Sequence, residues 1–135
     1  MKIAALDVGL KRIGVAICLD GSIVLPQSAI VRRNRNQAAR DTVQFLSEWE
    51  VDTLIVGLPR GGSSEEEMER RIRHFVGLLD LEEGVDVQYQ DESGSSAEAK
   101  EQMRGVIRQK RDGRIDSLAA KIILERWLRQ NRGAD

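Results

Sequence analysis

Asp7, Asp91, Glu92 and Asp116 stand where a chain most readily presents a carboxylate to a ligand. Asp7 closes the first apolar run, Ile3-Ala4-Ala5-Leu6, and runs into Val8-Gly9-Leu10-Lys11-Arg12. Asp91 and Glu92 close a short segment in which Val85, Val87 and Tyr89 alternate. Asp116, counted in steps of three and four, falls in line with Ala120, Ile123 and Trp127, on the apolar stripe of a helix rather than its wet face. Each has an ordinary explanation alone: Asp suits the turns at strand ends, and an acid in a helix's first turn is favoured by the helix dipole. Three carboxylates converging on a phosphodiester, however, would repel one another and the substrate unless cations intervened. Magnesium or manganese answers this, because hard cations take oxygen ligands, and two such ions can activate a water and stabilise the leaving oxygen of an in-line displacement. The chemistry expected is phosphodiester hydrolysis. Lys11 and Arg12 are then placed for the scissile or an adjacent phosphate, and the basic run containing Arg108, Lys110, Arg111 and Arg114 for tracking a nucleic-acid backbone.

The elements that must position these residues are legible from periodicity. Residues 2 to 7 and 12 to 19 read as strands, and Asp20-Gly21 as a two-residue hairpin leading to a third strand over 22 to 31. Pro26 cannot donate to a ladder, which places that strand at a sheet edge. Ala39, Val43, Leu46 and Trp49 recur at helical spacing over 36 to 49. The continuous apolar run 53 to 58 fits a strand covered on both faces. Ser63 or Ser64, with Glu66 or Glu67 three residues on, forms a capping-box pattern for a helix reaching about 80. A strand from 85, a weaker helix over 96 to 109 broken by Gly105, a basic loop over 110 to 114 and a final helix over 114 to 130 complete the chain. The order β-β-β-α-β-α-β-α-α predicts an α/β fold: a mixed five-stranded sheet with helices on both faces, in a single domain over 1–135. Sites in such sheets form outside the carboxyl ends of the strands, where Asp7 and the Asp91-Glu92 pair are expected.

Composition narrows the function. Hydrophobic residues at 41% and charged residues at 32% describe a globular chain, no apolar run approaches the roughly 20 residues of a membrane span, and the N-terminal apolar stretch is too short for a signal peptide. The expected location is cytoplasmic, with no membrane partner. Cys18 lies in an apolar stretch and reads as core, and His74, the only histidine, as a surface helix position; neither supports a Ser-His-Asp triad or a histidine-rich zinc site. The net charge of −1 hides a segregated distribution, with Arg32, Arg33, Arg35 and Arg40 in one cluster, Arg104 to Arg114 in another, and the acids elsewhere.

The same residues resemble a known family. Asp7-x-Gly9-x-Lys11-Arg12-Ile13-Gly14-x-Ala16, Val56-Gly57-Leu58-Pro59, Asp91-Glu92, and Ile115-Asp116-x-x-Ala119-Ala120-x-x-Ile123-Leu124 are similar, in order and across essentially the whole chain, to the successive motifs of the YqgF/RuvX family of Holliday junction resolvases. The resemblance implies a ribonuclease H-like fold, a Mg2+- or Mn2+-dependent nuclease site built from Asp7, Glu92 and Asp116, and a bacterial protein linked to pre-16S rRNA 5′-end maturation and to four-way DNA junctions. Asp91, in phase with Val85, Val87 and Tyr89, is an alternative inward residue; with Ser95 and Ser96 it is kept as a supporting residue behind the metal ligands. Two departures stand out: the family usually carries Asp-Glu-Arg-Leu-Thr-Thr where this chain has Asp91-Glu92-Ser93-Gly94-Ser95-Ser96, and the loop after Pro59 is shorter and lacks an Asp-Gly. They motivate a second reading, a nucleic-acid-binding ribosome-assembly factor with little catalysis. A third, an actin-like sugar kinase fragment, shares the strand-Asp-x-Gly start but lacks the length and a phosphate-cradling loop. Whether the substrate is structured RNA such as pre-16S rRNA or branched DNA, and whether the protein is a monomer or homodimer, stays open at this level.

Overall fold

The computed structural model describes residues 1–59, 63–92, 101 and 113–132. Five strands, β1 (Ile3–Val8), β2 (Arg12–Cys18), β3 (Val24–Val31), β4 (Thr53–Leu58) and β5 (Asp86–Asp91), form one sheet in the order β3-β2-β1-β4-β5. The first three form the expected antiparallel meander, whereas β1, β4 and β5 run parallel. Pro26 lies in β3, the edge strand its missing N–H requires. Because β1, β4 and β5 share a direction, Asp7, Leu58 and Asp91 reach the same end of the sheet.

Helices cover both faces. α1 (Arg35–Glu48) and α2 (Ser63–Gly77) lie over the side carrying Ala4, Leu6, Val8, Leu54, Val56 and Leu58. The last helix, α3 (Gly113–Arg132), packs Ala120, Ile123, Leu124 and Trp127 on the other side, against Ile3, Ala5, Ala16, Cys18 and Ile55. Every residue of β4 is buried, as a strand sandwiched between two helical layers must be, and Cys18 is a core residue. The helix expected over 96 to 109 lies outside the described residues apart from Glu101, which is helical.

Local chemistry corrects two boundaries and adds a cap. The connection from Cys18 to Val24 is longer than a two-residue hairpin: Asp20 Oδ1 accepts the backbone N–H groups of Ser22 and Ile23 at 3.0 and 3.1 Å, and Gly21 takes φ 82°. These two donors hold the Asp20 carboxyl below its ordinary pKa. α2 stops at Gly77 rather than near 80, where Leu78 and Leu79 turn back onto the carbonyls of Phe75 and Val76. α1 opens on a capping box that composition concealed, Asn34 Oδ1 accepting from Gln37 N–H at 2.8 Å while the Gln37 side chain accepts from Asn34 N–H at 3.3 Å. The Ser63 and Ser64 side chains expected to cap α2 lie outside the described residues.

Candidate active site

Strand alternation decides which carboxylates face one another. In β1 the residues directed at α3 are Ile3, Ala5 and hence Asp7; in β2 they are Ala16, Cys18 and hence Arg12 and Gly14; in β4, Ile55 and hence Gly57. β5 follows the rule, since Gln88 accepts a hydrogen bond from Trp127 Nε1 of α3 at 3.0 Å while Val87 and Tyr89 pack on the opposite layer. Glu92, bonded through its N–H to the Leu58 carbonyl at 3.0 Å, continues the ladder in phase with Gln88 and Gln90. Asp91 is in phase with Tyr89. A sheet covered on both faces has two inward sides, and the alternation that suggested Asp91 puts it on the side away from Asp7, with Glu92 on the side of Asp7 and α3.

Asp7 and Glu92 come from strands separated by β4, roughly 10 Å apart across two strand spacings. Gly57 lies between them. A Cβ on Gly57 would stand 2.9 Å from Glu92 Oε2 and 2.6 Å from Ile123 Cδ1, so the missing side chain is the space through which Glu92 reaches toward β1. The two carboxyls are within hydrogen-bonding distance of each other. Burial raises the Glu92 pKa above its ordinary value of 4.5; the hydrogen bond with Asp7 opposes that rise, the Asp91 charge adds to it, and the Arg126 charge lowers it. Arg126 also reaches the Asp91 carbonyl, at 3.5 Å.

Asp116 arrives from the opposite direction. The first turn of α3 rests directly on Gly14, the cross-strand partner of Asp7: a Cβ at Gly14 would fall 1.9 Å from the Asp116 carbonyl oxygen. The β2–β3 register shifts between Ile13 and Val15, and the Val15 N–H there is taken by Ser117 Oγ at 3.2 Å. The Asp116 carboxylate accepts from Arg12 Nε at 2.8 Å, a largely buried charge-assisted pair.

The structure thus brings Asp7 and Glu92 together, sets the Asp116 backbone beside the partner of Asp7, and holds the Asp116 carboxylate on Arg12. Among the described residues no three acidic, histidine or cysteine side chains stand together as a ready metal cluster. The donor set still suits a hard divalent ion: all the groups are carboxylates, two already crowd one partly desolvated space, and Gly57 leaves that space open. Lys11 is exposed in the β1–β2 turn, Arg12 is engaged with Asp116, and Arg114 is exposed in the first turn of α3. Arg108, Lys110, Arg111, Ser95 and Ser96 lie outside the described residues. Sequence reasoning missed Gly57 as a spacer, Ser117 as the cap of the irregular strand and Arg126 as the cation near Glu92. Arg126 lies ten residues after Asp116, close to three helical turns, which was the available signal.

One consequence is measurable. Replacing Glu92 with Gln removes a carboxylate that burial and the Asp91 charge both oppose, and keeps an amide able to donate to Asp7. A carboxyl whose pKa is raised by folding binds its proton more tightly in the native state, so its penalty is full at neutral pH and vanishes below about 4.5. Glu92→Gln is therefore expected to melt a few degrees above wild type at pH 8 without divalent ions, the gain shrinking as pH falls. Thermal unfolding by circular dichroism across pH checks this; equal midpoints at pH 8 would contradict it.

The comparisons with known proteins agree with this architecture. The sequence profile of the family described as "RuvX: Holliday junction resolvase" matches residues 1–130. The chain belongs to the RuvX family. Among its RuvX-like relatives, a Sulfurovum protein named as a proposed pre-16S rRNA nuclease is 70% identical over 128 residues, covering 95% of this chain and 98% of its own. A Helicobacter pylori protein of the same name is 43% identical over 133 residues, covering 95% and 96%. The RuvX fold is similar to solved resolvases: Thermus thermophilus RuvC in complex with a Holliday junction substrate (TM-score 0.60, 14% identity, 97% and 96% coverage) and the fowlpox virus Holliday junction resolvase (TM-score 0.60, 12% identity, 96% and 99% coverage). The fold is ribonuclease H-like. No helix among the described residues is long and apolar enough to cross a membrane.

Proposed function

We propose that this RuvX-family protein is a divalent-metal-dependent nuclease that hydrolyses phosphodiester bonds in structured nucleic acid, pre-16S rRNA or branched DNA. The observation carrying the proposal is the meeting of Asp7 and Glu92 over Gly57, at the strand ends to which α3 delivers Asp116. The relatives' names and the resolvase complexes support the class of reaction and of substrate. Asp7, Glu92 and Asp116 would hold Mg2+ or Mn2+, and the chemistry such ions supply when bound is polarisation of a water and neutralisation of charge on the leaving oxygen. The chain's own residues do the rest. Gly57 keeps the carboxylates close, α3 excludes water from beneath them, and Lys11 on the turn after Asp7 neutralises an adjacent phosphate. Arg12 is placed to exchange its partner, the Asp116 carboxylate, for a substrate phosphate.

The test is cleavage of a stem-containing 16S precursor RNA and of a four-way DNA junction with Mg2+ or Mn2+. Turnover is expected on at least one substrate, with loss on chelation by EDTA and recovery on adding the metal. No cleavage of either under any divalent ion would sink the nuclease reading. The Arg12–Asp116 ion pair, together with Ser93-Gly94 in place of the family's arginine and leucine, favours a second reading: an assembly factor that binds RNA with little catalysis. Salt-sensitive RNA binding without turnover would select it.

A further inference from the structure

A cleft of about 490 Å³ opens beside the β1–β2 turn, between the end of β3, the start of α1 and the outer face of α2. Its lining brings together Arg32, Arg35, Arg70, Arg71 and His74, with Glu67 as its one acid. Glu67 is committed to Arg71 at 2.8 Å, and Arg32, Arg35 and Arg70 have no carboxylate partner among the described residues. Arg35 and Arg70 are exposed. Cations brought together from three elements without counter-charge repel one another; burial and then the Arg35 charge lower the Arg32 pKa. The clustering of like charge opposes folding, and an anion would relieve it.

The cleft is tied to the carboxylate site. Arg32 donates from Nη1 to the Gly9 carbonyl at 3.0 Å and from its backbone N–H to the Lys11 carbonyl at 2.9 Å, while its guanidinium lies 5.2 Å from the centre of the Phe75 ring. Gly9 is two residues beyond Asp7, at most about 7 Å of extended chain. Phe75 is buried and covered by Arg32, so the cleft offers no aromatic face to a base. Guanidinium groups match phosphate oxygens in pairs, and an open cleft with cations and no stacking surface suits backbone contact independent of sequence.

We propose that this cleft is a second phosphate-binding subsite, in which Arg35 and Arg70 hold the backbone of the nucleic-acid substrate on the α1–α2 side of the scissile bond. The assignment rests on the nucleic-acid reading above. It extends the substrate's footprint from Lys11 to the outer face of α2, and Arg32 fixes that face relative to Asp7.

The test measures binding of a four-way DNA junction and a stem-loop RNA by fluorescence anisotropy over a series of salt concentrations. Wild type is compared with the double variant Arg35→Ala/Arg70→Ala and with Arg73→Ala. The last removes a charge from the same helix outside the cleft, where Arg73 pairs with Glu69 and covers Tyr89. The double variant is expected to bind about tenfold more weakly near 0.1 M salt. Its slope of log affinity against log salt should be shallower by about 1 to 2, its cleavage loss should appear in KM, and Arg73→Ala should lose clearly less. A double variant matching wild type, or an equal loss in Arg73→Ala, overturns the subsite and leaves the nuclease reading standing. Inorganic phosphate at constant ionic strength is the second arm: phosphate binding that the double variant loses, with junction and RNA affinity intact, identifies a small-anion site and also overturns it. If wild type binds neither nucleic acid, both proposals fail together.

Discussion

Gly14→Ala is expected to lower the melting temperature by at least about 6 °C and to abolish nuclease turnover at temperatures where the variant is still folded. The methyl group would enter space held by backbone, 1.9 Å from the Asp116 carbonyl oxygen, 2.2 Å from its carbon and 2.8 Å from Ser117 N. No rotamer change relieves a clash with main chain, so the first turn of α3 must lift from the sheet. That movement also breaks the Ser117 bond to Val15 N–H and the Asp116 pair with Arg12. Overpacking alone costs about 1 to 3 kcal/mol, occasionally more, and the two polar contacts add roughly 1 to 3 kcal/mol, against a total stability of about 5 to 15 kcal/mol. At this size each kilocalorie moves the midpoint by roughly 3 to 5 °C. Ala16, two residues along the same face and fully buried, shows that a methyl is tolerated where α3 presents side chains. Thermal unfolding by circular dichroism checks the prediction, and a midpoint within 2 °C of wild type would refute it.

The same contact marks where reading the sequence stopped. Apolar runs, the alternation of Val85, Val87 and Tyr89, the missing N–H of Pro26 and the apolar stripe of α3 identified the strands, the edge position of β3 and the inward stripe on which Asp116 sits, because each is a local signal. The strand order is not local. That β4 lies between β1 and β5, and so that a glycine there decides whether Asp7 and Glu92 meet, depends on parallel crossovers that a single strand's pattern does not encode. The Asp91 and Glu92 ambiguity had the same origin, since alternation assigns a side only once both layers are known. Arg12 read as a phosphate ligand because it follows Asp7 closely, yet its partner is 104 residues away. The basic cleft was half visible: Arg32 and Arg35 formed a recognisable cluster, but Arg70 and Arg71 lay among acids and resembled an ordinary solvated helix face. Asn34 and Gln37 escaped notice as a cap because every residue from Arg32 to Gln37 is polar.

Asp7→Asn separates the proposed catalytic role from the structural one. Asp7 sits at the carboxyl end of β1, partly buried, opposite Gly14 and within reach of Glu92. Asparagine keeps the shape of the side chain and a carbonyl oxygen and gains an N–H that can donate to Glu92, so the fold should hold and the repulsion between the two acids should fall. The variant is expected to melt no lower than wild type in the absence of divalent ions. Activity should move the opposite way. Losing one anionic ligand from a site that stabilises several kcal/mol of transition-state charge is expected to cost about 3 to 4 kcal/mol, roughly 10²- to 10³-fold in kcat at saturating Mg2+. Nucleic-acid affinity should be retained or rise, because a negative charge facing the phosphates has gone. The opposed signs are the diagnostic: a residue that merely supports the sheet end would lose stability and activity together. Single-turnover cleavage and unfolding on the same preparation measure both quantities. Turnover within threefold of wild type would remove Asp7 from the mechanism, whereas a matched loss of stability and rate would make it a turn residue.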